Sequence, residues 1–216
     1  MCNDERYRTD LLQVRLKGET AILVSKQEEV VQLILDTSAK LFEKYGYNNV
    51  RISDITRDIG MTTGFFYYHF RSKEQILQMI YENYISGAAD AVREIYHIPN
   101  LTAQEKLNLL IKRHCKGIRD NHSHVSVFFR EYRNLSEEAI KLIQEKNSEY
   151  LKYVVKIIEQ GVDEGLFKAD VNPKMVSLAI IGMCNWIYQW FKDDGEKSID
   201  EVGEIFYRLV TSGLLK

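Results

Sequence analysis

The sequence predicts an all-α protein, and three observations support this class. Only two prolines occur among 216 residues, whereas average usage would give about eleven, and proline is the residue that helix interiors exclude most strongly. Apolar residues recur every three or four positions over most of the chain, which is the period of one helix face. No alternation of apolar and polar residues is long enough to predict a sheet.

The first regular helix is predicted from Gln27, because apolar residues then recur at helical spacing as far as Tyr45, and Gly46 supplies a stop. A shorter apolar pattern over 52–59 ends at Gly60. The sequence therefore predicts a long helix followed by a short one that ends in a glycine turn.

A second short helix, rich in aromatic residues, follows with Thr62 or Thr63 as its cap. Ser72 and Gln75 have the spacing of a capping box, which predicts a long helix that ends before Pro99. Periodicity predicts further helices over residues 102–121, 125–132, 136–163, 173–191 and 198–214.

These patterns divide the chain into three parts. Residues 1–25 show no steady period and are left unassigned, residues 26–75 hold the short helices, and residues 76–216 hold the longer ones. We expect one helical domain over 26–75 and a second helical domain over 76–216.

Composition indicates where such a protein works. The formal net charge is -2, so the whole molecule has no positive field and a nucleic-acid contact must come from a local surface. Three dispersed cysteines suggest no disulfide framework, and the N-terminus lacks the apolar segment of a secretory signal. The longest uncharged stretch only reaches the lower end of the ~17 to 25 residues of a membrane helix. We expect a cytoplasmic protein without a membrane span.

Two short helices joined by a glycine turn, after a longer packing helix, form the layout of a helix-turn-helix motif. The first residues of its second helix would meet base edges in the major groove: Thr62, Thr63, Gly64 and Phe65. The residues that follow suit phosphate contacts: Tyr67, Tyr68, His69 and Lys73. Composition alone leaves a simpler alternative, in which the aromatic cluster is plain core.

The segment from Ala39 to Leu77 resembles the N-terminal domain of the TetR family of bacterial and archaeal repressors. The matching residues fall at fixed offsets: Phe42, Gly46, Ile55, Gly60, Gly64, Tyr67, His69, Phe70 and Lys73. The resemblance implies a helix-turn-helix DNA-binding domain over 26–75 and a helical ligand-binding and dimerisation domain over 76–216. It also implies binding to a double-stranded operator, with the residues matching 62–65 in the groove. It departs at Arg51, Thr56 and Thr63, where the family often has a helix cap, an alanine and a lysine. We therefore expect Arg51 and Ser53 to add DNA contacts.

The C-terminal residues 182–214, with their Asn185-Trp186 pair and Trp190, resemble the TetR subgroup that regulates fatty-acid and acyl-CoA catabolism. This resemblance implies an acyl-CoA or fatty-acid effector and no cofactor or metal. Apolar residues would line its cavity and polar ones would meet its head group: Leu107, Leu110, Ile111, Arg113, His114, Val127, Phe128, Phe129, Arg130, Ile180, Met183, Asn185 and Trp186. Burial in an ordinary core explains many of the apolar ones equally well.

The last two long helices carry broad apolar faces that predict a homodimer and hence a pseudo-palindromic operator. The predicted interface residues are Met175, Leu178, Ile181, Gly182, Ile187, Val202, Ile205, Phe206, Leu209 and Val210.

Three alternatives to an acyl-CoA-responsive repressor stay open. A repressor of a multidrug efflux system would share the same N-terminal domain. His114, His122 and His124 suggest a metal sensor, although no cysteine or carboxylate cluster completes a set of ligands. A helical enzyme would need a site assembled in space, because the sequence has no phosphate-binding glycine loop and no nucleophile elbow. We expect no enzymatic activity.

Overall fold

The structure is a computed structural model that describes residues 27–215. These residues form helices joined by short turns, and an isolated antiparallel bridge pairs Phe167 with Leu215. The chain divides into two compact units, the first ending at Lys73 and the second beginning at Glu74. The unassigned segment 1–25 lies outside the described residues.

Three helices make up the described part of the first unit, residues 27–73. They are α1 over residues 27–45, α2 over Ile52–Ile59 and α3 over Thr63–His69, with a 3-10 turn at Tyr47–Asn49 before α2. Gly46 and Gly60 have positive φ angles of 79° and 78°, so both predicted stops lie in a conformation that favours glycine. The buried hydrophobic side chains in the described part of this unit are Ile34, Leu35, Ala39, Phe42, Tyr47, Val50, Ile55, Phe66 and Phe70.

The second unit combines long helices with shorter ones. Their bounds are α4 Lys73–His97, α5 Ala103–Asp120, α6 His122–Arg130, α7 Glu137–Asp163, α8 Pro173–Asn185, α9 Ile187–Trp190 and α10 Ile199–Leu214. Helix α5 lies at the centre, because α6, α7, α8, α9 and α10 all pack against it. Helix α7 also packs along α8.

Side-chain caps fix where several of these helices begin. Thr102 and Glu105 satisfy each other's backbone N–H groups at the start of α5, and Ser198 and Glu201 do the same at α10. These caps are worth about 1 kcal/mol each in typical helices. The predicted starts of α5 and α10 are therefore held by ordinary local chemistry.

Two predicted helices differ from the observed ones. The single helix predicted over 173–191 is two, because the backbone tightens at Trp186, whose C=O accepts from Gln189 N–H three residues later. The helix predicted from Val125 starts at His122 instead. Its first turn is polar, so apolar spacing could not reveal that start.

No helix within residues 27–215 has the length and apolar character needed to cross a membrane.

Candidate nucleic-acid interface and effector site

The turn before α3 is set by two residues. Gly60 adopts the left-handed conformation that ends α2, and Thr62 caps α3 by accepting a hydrogen bond from Phe65 N–H at 3.2 Å. The sequence leaves Thr62 and Thr63 as alternative caps of α3, and this hydrogen bond shows that Thr62 is the cap. Thr63 is exposed in the first turn of α3, with Gly64 beside it.

The aromatic cluster of α3 divides into an inner and an outer set. Phe66 and Phe70 are buried and their rings stack at 5.7 Å. Phe65, Tyr67 and Tyr68 are 44%, 54% and 73% exposed. The plain-core alternative therefore holds for the inner pair alone. We call the exposed set the recognition face: Thr62, Thr63, Gly64, Phe65, Tyr67 and Tyr68.

Gly64 has an unusual place on the recognition face. A Cβ atom built there meets nothing within 4 Å, so the packing of the chain does not require a glycine. A glycine in a helix costs stability relative to alanine. The residue fits a surface that another molecule approaches closely, as the sequence predicts for Gly64.

His69 differs from the other predicted phosphate contacts. Its ring is half-buried and packs edge-on against Phe65 and Tyr68 at 4.9 and 5.0 Å. Its Nε2 atom is sealed from solvent and has no hydrogen-bond partner. Nε2 in this rotamer does not reach a phosphate, and the ring supports the two exposed aromatic side chains.

Lys73 lies half-buried at the end of the first unit. Its ammonium donates to the carbonyls of Tyr47 and Val50 at 2.7 and 2.8 Å, and it lies 4.2 Å from the centre of the Tyr47 ring. These carbonyls flank the turn before α2. Besides the predicted phosphate contact, Lys73 therefore has a structural role that its position in the sequence did not reveal.

Arg51 and Ser53 are exposed where α2 begins. The Arg51 N–H donates to the Asp54 carboxylate at 2.9 Å, and Arg57 pairs with the same carboxylate at 2.9 Å. The backbone hydrogen bond from Arg51 lowers the pKa of Asp54. The α2 start is thus capped by Asp54, and the Arg51 and Ser53 side chains reach outward from it.

In the second unit, a chain of hydrogen bonds joins three helices. His114 of α5 lies 2.9 Å through Nε2 from Asn185 Oδ1 of α8, and 2.6 Å through Nδ1 from the Tyr150 hydroxyl of α7. Burial lowers the pKa of His114 to about 4, against a smaller opposing effect of the Asn185 hydrogen bond, so its ring is neutral near pH 7. The sequence does not predict Tyr150 as a member of this site, because His114, its hydrogen-bond partner, lies 36 residues away.

The predicted effector residues take three kinds of position. Buried in the interior are Leu107, Leu110, Ile111, Val127 and Ile180. Partly accessible are His114, Phe128, Met183 and Asn185. Exposed at the surface are Arg113, Phe129, Arg130 and Trp186. Trp186 is 61% exposed, so within this chain it forms no wall of an internal pocket. The prediction of Trp186 as an effector residue is therefore wrong. Arg113 pairs with Glu94 at 3.3 Å on the surface.

The predicted dimer residues fall on both sides of their helices. Met175, Leu178, Ile205 and Leu209 are exposed, Leu209 at 64%, and Gly182 is exposed near the end of α8. Ile181, Phe206 and Val210 are half-buried. Ile187 and Val202 belong to the core of the second unit, so they do not face a partner and are removed from the predicted interface.

Within the described residues, no three histidine, cysteine, aspartate or glutamate side chains meet as a metal site. His114 holds Tyr150 and Asn185, and His122 Nε2 lies 3.0 Å from Tyr188 O. His122 and His124 lie in the first turn of α6, where His122 is exposed and His124 is half-buried.

Comparison with known proteins supports the regulator interpretation. Residues 34–80 match the family described as bacterial regulatory proteins of the tetR family, and residues 100–214 match the tetracyclin repressor-like C-terminal domain. The HTH-type transcriptional repressor KstR2 of Mycolicibacterium smegmatis is 26% identical over 192 residues, which are 88% of this chain and 91% of that protein.

Two further proteins share most of their length with this chain. The fatty acid metabolism regulator protein of Bacillus subtilis is 24% identical over 182 residues, 84% of this chain and 93% of its own. The crystal structure of AibR in complex with isovaleryl coenzyme A and operator DNA has a TM-score of 0.72 at 23% identity, covering 83% of this chain and 96% of AibR. Both matched domains are those of transcriptional regulators, and the chain belongs to the TetR family.

Proposed function

We propose that this TetR-family DNA-binding repressor controls genes of fatty-acid or related acyl-CoA catabolism and leaves its operator when it binds an acyl-CoA. The DNA-binding role follows from family membership. Support for the lipid role comes from the relatives, which include a fatty acid metabolism regulator and a regulator crystallised with isovaleryl coenzyme A. The observation that carries the effector proposal is the uncharged hydrogen-bond chain of His114, Tyr150 and Asn185, which includes Tyr150 of the hydrophobic core of the second unit.

The recognition face supplies the proposed DNA contacts. Thr63 presents a hydroxyl and a methyl group, Gly64 allows close approach, and the exposed Tyr67 and Tyr68 hydroxyls suit phosphates. Arg51 and Ser53 add contacts from the start of α2. A homodimer formed through the exposed residues of α8 and α10 would place two such faces on a pseudo-palindrome, with half-site centres about 34 to 36 Å apart.

Release from DNA is proposed to be a shift between two populations of the dimer. An acyl-CoA lowers operator affinity only as far as it binds the population that does not fit DNA more tightly than the population that does. This difference in binding free energy is typically about 1 to 3 kcal/mol, or 5- to 150-fold in affinity. Helix α4 begins at Lys73 and continues as far as His97, so it is the covalent connection along which we expect the change to reach the Lys73 contacts.

A release assay tests this proposal. Fluorescence anisotropy of a labelled operator bound to the protein is followed during separate additions of palmitoyl-CoA, isovaleryl-CoA, free CoA and the cationic dye rhodamine 6G. We expect an acyl-CoA to weaken operator binding at least fivefold and free CoA to have no effect. Release by the dye alone would contradict the acyl-CoA effector and favour the multidrug alternative.

A further inference from the structure

The hydrogen-bond chain in the second unit has a defined direction. Because Asn185 Oδ1 only accepts, His114 Nε2 must carry a hydrogen, and Nδ1 is then the acceptor for the Tyr150 hydroxyl. Tyr150 donates to His114, and His114 donates to Asn185. The Asn185 amide nitrogen Nδ2 has no partner among the described residues, and it is not among their sealed polar atoms. Two N–H donors are therefore left for another molecule.

The residues around the hydrogen-bond chain of Tyr150, His114 and Asn185 are desolvated but keep some accessible surface. Burial shifts the pKa of His114 downward and that of Tyr84 upward, yet both side chains keep some accessible surface, as does Asn185. These groups are therefore desolvated, while part of each side chain can still be reached by another molecule. Cys115 and Cys184 lie in the same core, and the hydrogen bond with Cys115 together with burial raises the pKa of Cys184. The titratable groups named here are therefore uncharged near pH 7.

The nearest basic residues on α5 are engaged elsewhere. Lys112 pairs with Glu204 at 2.8 Å, Arg113 with Glu94 at 3.3 Å and Lys116 with Asp200 at 2.8 Å. None of them contributes a cation to the His114 chain. A carboxylate placed beside Asn185 would lose its hydration without gaining an opposite charge, which is costly. An uncharged carbonyl needs only a hydrogen bond.

We propose that the chain formed by Tyr150, His114 and Asn185 is the polar anchor of the effector site, and that Asn185 Nδ2 donates to an uncharged carbonyl, as in a thioester or a ketone, and not to a carboxylate. This inference rests on the proposed acyl-CoA function and narrows it, because it excludes the free fatty acid as the preferred effector. His114 and Tyr150 act as positioning residues that hold the Asn185 amide in one orientation.

The position of Asn185 gives the anchor a regulatory consequence. Asn185 is the last residue of α8, and the break at Trp186 follows directly. Exposed residues of α8 belong to the predicted dimer interface, Met175 and Leu178 among them. A carbonyl bound by Asn185 therefore acts at the end of the helix whose other face is expected to contact the partner subunit.

Binding of palmitoyl-CoA labelled with carbon-13 at its carbonyl tests the anchor in the full-length protein. Calorimetry gives the affinity, and difference infrared spectroscopy gives the carbonyl stretching frequency. We expect Asn185→Leu to weaken palmitoyl-CoA binding roughly tenfold, the usual effect of losing one such hydrogen bond, and to raise the carbonyl frequency towards its value in hydrocarbon. Palmitate should bind more weakly to the unmodified protein and should be insensitive to the substitution.

Two further variants separate the anchor from general damage. Tyr150→Phe removes one oxygen atom and should give a smaller change of the same sign. Tyr153→Phe, on the same helix but packed against Tyr96 and His97, should leave affinity and frequency unchanged. Circular dichroism and operator binding verify that each variant is folded, and Tyr150→Phe serves as the test if Asn185→Leu is not.

Heptadecan-2-one distinguishes the two sources of the carbonyl, because it carries the same acyl group without CoA. Binding of the ketone alone, with the same sensitivity to Asn185→Leu, supports the anchor and overturns the acyl-CoA function. Palmitoyl-CoA binding that neither Asn185→Leu nor Tyr150→Phe alters in affinity or frequency overturns the anchor and leaves the acyl-CoA function intact. Absence of binding by both the thioester and the ketone overturns both.

Discussion

At the scale of single residues, α3 separates what the fold needs from what function needs. Phe66 and Phe70 are buried, whereas Phe65, Tyr67 and Tyr68 are exposed at a cost that packing does not repay. Gly64 follows the same logic, since no neighbouring atom requires the absence of a Cβ there. These residues lower the stability of the fold and lie together on one surface. We therefore expect them to contact DNA.

Gly64→Ala is expected to improve stability while it weakens DNA binding. The substitution should raise the free energy of unfolding by about 0.5 kcal/mol, because alanine is the better helix former. It should weaken operator binding roughly tenfold, since the methyl group holds the duplex away and disturbs a base contact worth about 1 to 3 kcal/mol. Urea unfolding and anisotropy measure the two effects. Gly87→Ala is the matched control, because Gly87 is an exposed helical glycine of α4 with open space around it. If Gly87→Ala lost as much operator affinity as Gly64→Ala, the loss would not show that Gly64 belongs to the interface.

His114 should make stability depend on pH in a defined direction. Its pKa is about 4 in the folded protein and about 6.5 in an unfolded chain. Between these values the unfolded chain binds the extra proton, so stability is full above pH 6.5 and falls as the pH drops towards 4. The expected loss between pH 7 and 4.5 is about 2 kcal/mol. In urea unfolding at both pH values His114→Gln should lack this loss, whereas His97→Gln, at an exposed site on α4, should keep it. An equal loss in the protein and in His114→Gln would contradict a buried neutral imidazole.

At the scale of secondary-structure elements, the sequence predicts what local chemistry fixes. The ends of α2 and α3 follow from Gly60 and the Thr62 cap, and the start of α5 follows from Thr102. The break at Trp186 escapes prediction because Cys184 and Ile187 on either side of it stay buried, so the apolar period continues through the break. The apolar period does not reveal which side of α10 packs inside the chain, so the prediction that Val202 faces a partner subunit is wrong.

The sequence predicts two of the three residues in the hydrogen-bond chain around His114, because the third contact depends on tertiary packing. His114 and Asn185 were proposed as effector residues, but Tyr150 lies 36 residues from His114. A tyrosine on an amphipathic helix carries no local pattern that marks it as a hydrogen-bond partner. Such a contact depends on how α5, α7 and α8 pack, which no sequence window contains.

The turn before α2 should depend on Lys73. Lys73→Ala removes the ammonium that donates to the Val50 carbonyl and leaves the Tyr47 carbonyl with only its bond from Val50 N–H, which should cost about 1 to 3 kcal/mol of unfolding free energy. If Lys73 also contacts a phosphate, the slope of log affinity against log salt should flatten by about one unit on operator and random DNA alike. Lys44→Ala, at another lysine of the first unit, is the control. A normal salt slope with lost stability would restrict Lys73 to its role in the turn.

The exposed apolar residues of α8 and α10 should hold the dimer together. Leu209→Glu places a charge at the most exposed of the predicted contacts on α10 and should give a folded monomer with weakened operator binding. Sedimentation velocity measures the oligomeric state, and circular dichroism verifies the fold. Leu142→Glu changes another exposed leucine, on α7, and should leave the dimer intact. A Leu209→Glu protein that remains dimeric would place the interface elsewhere.

At the scale of the whole molecule, charge alone does not explain DNA binding. The protein has a net charge of -2, and the segment from Lys26 to Gln75 contains seven basic and seven acidic residues. Sequence-independent attraction to the duplex should therefore be weak, and affinity must come from contacts made by the recognition face on both subunits. We accordingly expect a large ratio between operator and random-DNA affinity.

That ratio is the most direct test of the recognition face. Anisotropy at about 0.15 M salt, a physiological ionic strength, compares DNA from upstream of the protein's own gene with scrambled DNA of the same composition. We expect one pseudo-palindromic site that binds at least about a thousandfold more tightly than the scrambled DNA. Equal affinity for the two DNAs, with no protected site in a footprint, would contradict a DNA-reading role for the exposed face of α3.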